Sequence, residues 1–176
     1  MSKLIARIIR ASKLDANLYE EVEADKGAMG QAIGVVVLSS IAAGIGSIGK
    51  EWHINILMGT VFALISWFIW AYLTYFIGTK IFPEPQTKAD LGELLRTIGF
   101  SSAPGLIRIF GIIPGLAGVV LIGALGWMLM AAVIAVRQAL DYTSTLRAIG
   151  VCVIGWIIQL AILTISNPRL ANYDGA

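Results

Sequence analysis

GAMGQAIGVVVLSSIAAGIGSIG, residues 27 to 49, runs for twenty-three residues without a charge. Wound as an α-helix at about 1.5 Å per residue, it exceeds the roughly 30 Å hydrocarbon thickness of a bilayer. Residues 27–49 are therefore read as a transmembrane span, and the pattern recurs outward along the chain. Lys50, Glu51, Trp52 and His53 make a short turn, and a second uncharged run, residues 54–79, is long enough to cross with some tilt. Residues 97–136 carry a single charge, Arg108, and two prolines, Pro104 and Pro114. That length suits two crossings. The expectation is a short third helix over 97–113, broken or kinked at Pro104, and a fourth over 115–136, because proline removes a donor and ends or bends a helix. A fifth helix is expected over 146–166, capped by Thr143 or Ser144 and closed by Asn167 and Pro168.

Composition agrees with this reading. Of the 176 residues 57% are hydrophobic and 14% charged, and the mean hydropathy is +0.81. A soluble domain of this size needs more polar surface. The net charge of +2 is an even mixture of signs rather than a basic face, which argues against nucleic-acid binding. The predicted class is all-α: a polytopic bundle of five spans preceded by a short amphipathic helix. Its parts are a cytoplasmic arm (1–26), a membrane domain (27–166) and a short tail (167–176). No cleavable leader stands out ahead of residue 27, so the first span is expected to act as its own insertion signal.

In the arm, Leu4, Ile5, Ile8 and Ile9 fall on one side of a helix and Lys3, Arg7, Arg10 and Lys13 on the other. A basic amphipathic helix can lie on an anionic membrane surface, with Arg7 and Arg10 toward the head groups, or pack against the rest of the protein. Asp15 to Lys26, with five acidic residues, reads as a solvated juxtamembrane segment. Lys80 to Arg96 holds Pro83, Pro85 and six charges and reads as a loop followed by a short helix, with Thr87 and Asp90 at capping spacing ahead of LGELL. Lysines and arginines place the N-terminus inside: ten of the thirteen fall on inner segments. A four-span arrangement with 97–113 re-entrant gives the same split, so charge leaves the span count open.

Small residues stud the helices: Gly30 and Gly34, Ala42 and Gly46, then Gly111, Gly115, Gly118, Gly123 and Gly126. They suit close helix packing within the chain, or an interface with another membrane protein. Trp67, Trp70, Trp127 and Trp156 lie inside their spans and read as packing elements, whereas Trp52 suits the interfacial belt. Arg108 is an ionisable group near the hydrocarbon region, where central placement costs a few kcal/mol. It either snorkels to a head group near Pro114 or lines a substrate or proton path. Arg137 and Asp141, four apart, are a candidate pair.

Catalytic chemistry is not visible. GFSSAPG, residues 99–105, resembles a serine nucleophile turn around Ser101, but Ala103 replaces the last glycine of that pattern. His53 is the only histidine and Cys152 the only cysteine, which is expected to be a small buried apolar residue. No metal-binding cluster and no phosphate-binding glycine loop is present in the sequence, and no cofactor is predicted.

Three segments together resemble the Yip-one domain family of Ypt/Rab-interacting membrane proteins: YEEVEADKGAMGQAIGVVVLSS (19–40), LLRTIGFSSAPGLI (94–107) and AVRQALDYTSTLRAIGVCVIGWII (135–158). The resemblance implies five spans, a cytoplasmic N-terminus and an outside C-terminus. Rab-type GTPase binding is not carried over, because the nearest match to the eukaryotic Asp-Leu-Tyr-Gly-Pro motif, DANLYEEV (15–22), lacks Gly-Pro. A bacterial-type member in a cytoplasmic or internal membrane is implied. The expected role is that of a non-enzymatic scaffold, assembly factor or accessory subunit that contacts lipids and a membrane-protein partner. The alternative is a small transporter or channel built on Arg108 and the Pro104 to Pro114 segment.

Overall fold

A computed structural model describes residues 2–47 and 52–166, without the side chains of 52–55, 163, 165 and 166. Within these residues every regular element is helical: α1 (Lys3–Ser12), α2 (Ala16–Ala24), α3 (Met29–Gly46), α4 (Trp52–Phe76), α5 (Leu91–Phe100), α6 (Ala117–Ala139) and α7 (Thr145–Ser166). A π turn, Ile77–Ile81, extends α4, and a ten-residue 3-10 helix, Ala103–Ile112, follows α5. The turn at Lys50 and Glu51, the tail from Asn167, and the side chains of Trp52 and His53 lie outside the described residues.

Among the described residues four helices are long and apolar enough to cross a membrane: α3 with its lead-in from Lys26, α4 with its π turn, α6 and α7. The expected third span has a different form. Its first helix begins six residues early, at Leu91, because Asp90 and Glu93 close a reciprocal capping box: the Asp90 carboxylate accepts from the Glu93 amide at 2.8 Å, and Glu93 from the Asp90 amide at 2.7 Å. The short helix expected at LGELL and the first half of the third span are thus one element. The break falls at Ser101 and Ser102, and with Pro104 in its first turn the chain continues as 3-10 helix, which is unusual at ten residues.

The reason for that winding lies on α3. A side chain at Gly99 would come within 2.7 Å of the Ala32 Cβ, one at Gly105 would meet the Ser39 hydroxyl, and one at Gly111 would meet the Gly46 carbonyl at 2.7 Å. The contacts advance together along both strands of the pair, so α5 and the 3-10 segment run parallel to α3. Within the segment, the six residues from Gly105 to Gly111 are two turns of 3-10 helix and the seven from Ser39 to Gly46 are about two turns of α-helix, which keeps both glycines on the shared face.

Packing is uneven along the bundle. One core joins Trp70, Ile77, Leu94, Leu95, Val136 and Val151 from α4 and its π turn, α5, α6 and α7, and Cys152 is buried in it as expected. A second joins Leu18, Tyr19 and Val22 of the arm to Ala32, Phe100 and Ala135. Both lie toward the arm. In the far half of α6, from Ala117 to Gly126, Ala124 alone is buried.

The arm refines one expectation. Asp15 to Lys26 is solvated along one face only: it forms α2, whose Leu18, Tyr19 and Val22 are fully buried while Asn17, Glu20 and Lys26 stay exposed. Arg96 fixes the end of α2 by donating to the carbonyls of Val22 (2.9 Å) and Glu23. The expected pair of Arg137 and Asp141 is not formed. Arg137 donates to the carbonyls of Tyr142 (3.2 Å) and Thr143 (3.3 Å), while Asp141 takes the left-handed position (φ 53°) that ends α6. The Tyr142 amide then bonds back to the Arg137 carbonyl, which closes a Schellman-type turn. Ser144 caps α7 through the Arg147 amide at 3.4 Å.

The arm and two loops meet at one end of the bundle. Gln138 donates to Glu20 of α2 at 2.7 Å, and buried Glu84 accepts from the Thr143 amide (2.9 Å) and hydroxyl (2.8 Å). Tyr142 donates to the carbonyls of Gly78 (3.0 Å) and Phe82 (2.7 Å).

Candidate functional site

The sparse packing beyond the cores leaves a cavity of about 750 Å³ between α3, α4, the 3-10 segment, α6 and α7. Its polar groups come from the close approach of the 3-10 segment to α3. With Gly105 against Ser39, Arg108 lies one 3-10 turn further along the same face, and its guanidinium reaches α3. Nε donates to the Gly105 carbonyl at 3.1 Å, and Nη2 donates to the Ser39 carbonyl (3.0 Å) and hydroxyl (2.8 Å). Arg108 therefore turns inward to the cavity rather than outward past Pro114.

Ser40, Ser66, Ser101, Ser102 and Gln159 add further polar atoms to the lining, whereas Leu121, Leu125 and Leu129 make its far wall. Among the described residues the lining contains no aspartate or glutamate. Trp67 and Trp70 border the cavity, and the Trp67 indole donates to the Leu95 carbonyl at 3.1 Å. The Ser101 hydroxyl is committed to the Ile98 carbonyl at 2.7 Å. Pro104 is buried beneath the segment it starts. Such a site offers a fixed cation, hydroxyls and an apolar wall. Its chemistry is that of holding an anionic or amphiphilic group.

Arg7 and Arg10, the other basic candidates, belong to a separate place. Arg7 is 1% exposed; it donates to Glu21 through Nε (2.9 Å) and Nη2 (2.8 Å), to Asp25 at 2.7 Å and to Gln31 of α3 at 2.9 Å. Arg10 pairs with Asp15 at 2.7 Å and with Glu21. The basic side of α1 thus faces the chain's own acids rather than head groups, while Ile5 and Ile9 stay exposed. Hydrogen bonds from Arg7 and Lys3 hold the Asp25 carboxyl down at about 2, and those from Arg7 and Arg10 lower Glu21. Burial, with Glu93, Asp141 and Glu20 nearby, pushes Glu23 up to about 7 against the pull of Arg96.

Gly30 and Gly34 meet no neighbour: a side chain at either would find nothing within 4 Å, and the same holds at Gly115, Gly118, Gly123 and Gly126. Of the small residues singled out, Gly46 and Gly111 do pack closely, joined by Gly99 and Gly105 and by Gly44 and Gly78. Sequence reasoning missed Ser39 and Gln159, and the six-residue spacing of Gly99, Gly105 and Gly111 was the available signal for the first. The Yip1 domain family model matches residues 19–166. No curated protein and no solved structure matches the chain.

Proposed function

We propose that this chain, which belongs to the Yip1 domain family, is a non-enzymatic integral membrane protein serving as a scaffold, assembly factor or accessory subunit of a membrane complex. The observation that carries the reading is the unpartnered face of α6. Gly123 and Gly126 have open space where a side chain would stand, and Val119 and Ile122 beside them are 71% and 73% exposed. Lipid supplies no hydrophobic drive between helices, so glycines on an open helix face suit the close approach of another helix. Gly123→Leu and Gly126→Leu are expected to release a co-purifying membrane protein while helix content stays unchanged. Isolation of the wild type in mild detergent as a lone monomer would sink the reading.

The proposed topology is five crossings in a bacterial cytoplasmic or internal membrane, with the N-terminus cytoplasmic and the C-terminus outside. Support comes from the contacts of Glu20 with Gln138 and of Glu84 with Thr143, which gather the arm and two loops at one end. The parallel course of α3 and the α5 to 3-10 segment adds to it. In the four-crossing alternative Glu84 and Thr143 would stand on opposite sides of the membrane. In a Cys152→Ala background, an impermeant thiol reagent added to intact cells should label Ser47→Cys and Pro114→Cys but not Asp141→Cys. Outside labelling at 141 would refute this topology.

The cavity at Arg108 favours a second reading, a small transporter or channel whose path runs past the Pro104 to Pro114 segment. Solute flux in liposomes that Arg108→Ala leaves unchanged would remove it.

A further inference from the structure

We propose that the cavity around Arg108 holds the head group of an anionic phospholipid, its phosphate on the guanidinium and an acyl chain along the Leu121 and Leu125 wall. The inference rests on the membrane embedding of these helices. It requires neither a protein partner at Gly123 and Gly126 nor solute transport.

The guanidinium carries five N–H donors in a planar fork. Those on Nε and Nη2 are engaged by Gly105 and Ser39, while Nη1 has no acceptor among the described residues. The charge is likewise uncompensated. No described acid pairs with Arg108, and the described lining contains none. A partly buried cation with only neutral partners in a low-dielectric setting is costly, and an anion removes that cost. Gly105 holds Nε and Ser39 holds Nη2, which leaves the Nη1 edge as a preset donor for a phosphate oxygen.

Shape selects the kind of anion. A cavity of about 750 Å³ has room for a head group together with part of a chain. Its lining passes from Arg108 and the serines to Leu121 and Leu125, these two leucines are 48% and 46% exposed, and the cavity is open on one side rather than enclosed. The site therefore reaches the surface through residues that face lipid, a route that suits an amphiphile. A zwitterionic head group would also bring an ammonium that no lining carboxylate could receive, so the net-anionic class fits best.

The test uses the full chain in detergent, offered phosphatidylglycerol and phosphatidylcholine, with bound lipid read by native mass spectrometry. The wild type is expected to retain phosphatidylglycerol over phosphatidylcholine by about tenfold, since both phosphates can meet Nη1 but only the choline ammonium is brought unpaired beside the Arg108 charge. Arg108→Gln should abolish that preference and Arg108→Lys should keep part of it. Gly118→Leu, which fills an open lining position on α6 and leaves Arg108 untouched, should lower retention, and it carries the test if Arg108→Gln does not fold. Equal retention by the wild type and the variants overturns the proposal. So does stabilisation of the wild type by inorganic phosphate as large as that by phosphatidylglycerol, which would make the site one for a free anion.

Discussion

The backbone carbonyl of Arg108 occupies the space that a side chain at Gly46 would need. Backbone against backbone is the closest contact two helices can make, and here it fixes how far the 3-10 segment stands from α3. Gly46→Leu should force the two apart and cost about 1 to 3 kcal/mol, the usual penalty of overpacking. A thermal melt in detergent would read this as a clear loss, whereas Gly34→Leu, in open space, should leave the midpoint close to wild type.

Arg7 holds the arm to the bundle through Glu21, Asp25 and Gln31. Its removal strands two carboxylates that keep solvent access, so Arg7→Ala should loosen the arm without the full penalty of a broken buried pair. Faster amide exchange or proteolysis across residues 3–24, with the membrane helices unaffected, is the expected signature. Arg7→Lys should restore only part, since an ammonium cannot bridge all three partners in one plane.

Acidity acts on the docked arm in two opposite senses. Asp25, held at about 2 against an ordinary 3.8, and the lowered Glu21 favour docking above about pH 4, and that contribution is lost as pH falls through their docked values. Glu23 works the other way. Docked, it keeps its proton up to about 7, whereas the free group gives it up near 4.5, so docking weakens as pH rises between those values. Arm protection from exchange should therefore peak near pH 4 to 5. Glu23→Gln should flatten the fall toward pH 7 and leave the acid limb alone; an unchanged profile in that variant would refute the assignment.

Tyr142 ties the end of the α6 helix to the π turn after α4 through one hydroxyl and two carbonyls. Burial pushes this phenol up to about 12, so it remains a donor at any working pH. Tyr142→Phe strips both carbonyls of their donor and should cost about 1 to 2 kcal/mol, measured as a lowered thermal midpoint with unchanged helix content.

The four long helices were legible because an uncharged run of membrane length has few other uses. Residues 103–112 were not, since Pro104 and Gly105 mark a break in the helix but not the winding beyond it. The arm was half legible for a related reason. The acids of Asp15 to Lys26 dominate its composition, and the spacing that mattered was Leu18 to Val22, one helical turn apart. Nor could α1 reveal that Arg7 turns inward, because its partners Glu21 and Asp25 stand fourteen and eighteen residues along the chain. At the cavity, Arg108 announced itself as a lone charge, but its contact with Ser39 depends on a winding that no local signal specifies.

That winding acts like a gear meshing six teeth against seven. In 3-10 geometry each residue turns the chain by about 120°, so Gly105, Arg108 and Gly111 return to the same bearing. Rewound as α-helix, at about 100° per residue, the six residues from Gly105 would stop short of two revolutions and leave Gly111 about 120° off the α3 groove. Arg108, one turn beyond Gly105, would swing away from Ser39 with it. The bearing of the cavity's only described charge is thus geared to the pitch of the segment that carries it, and whatever grips Arg108 also grips that pitch.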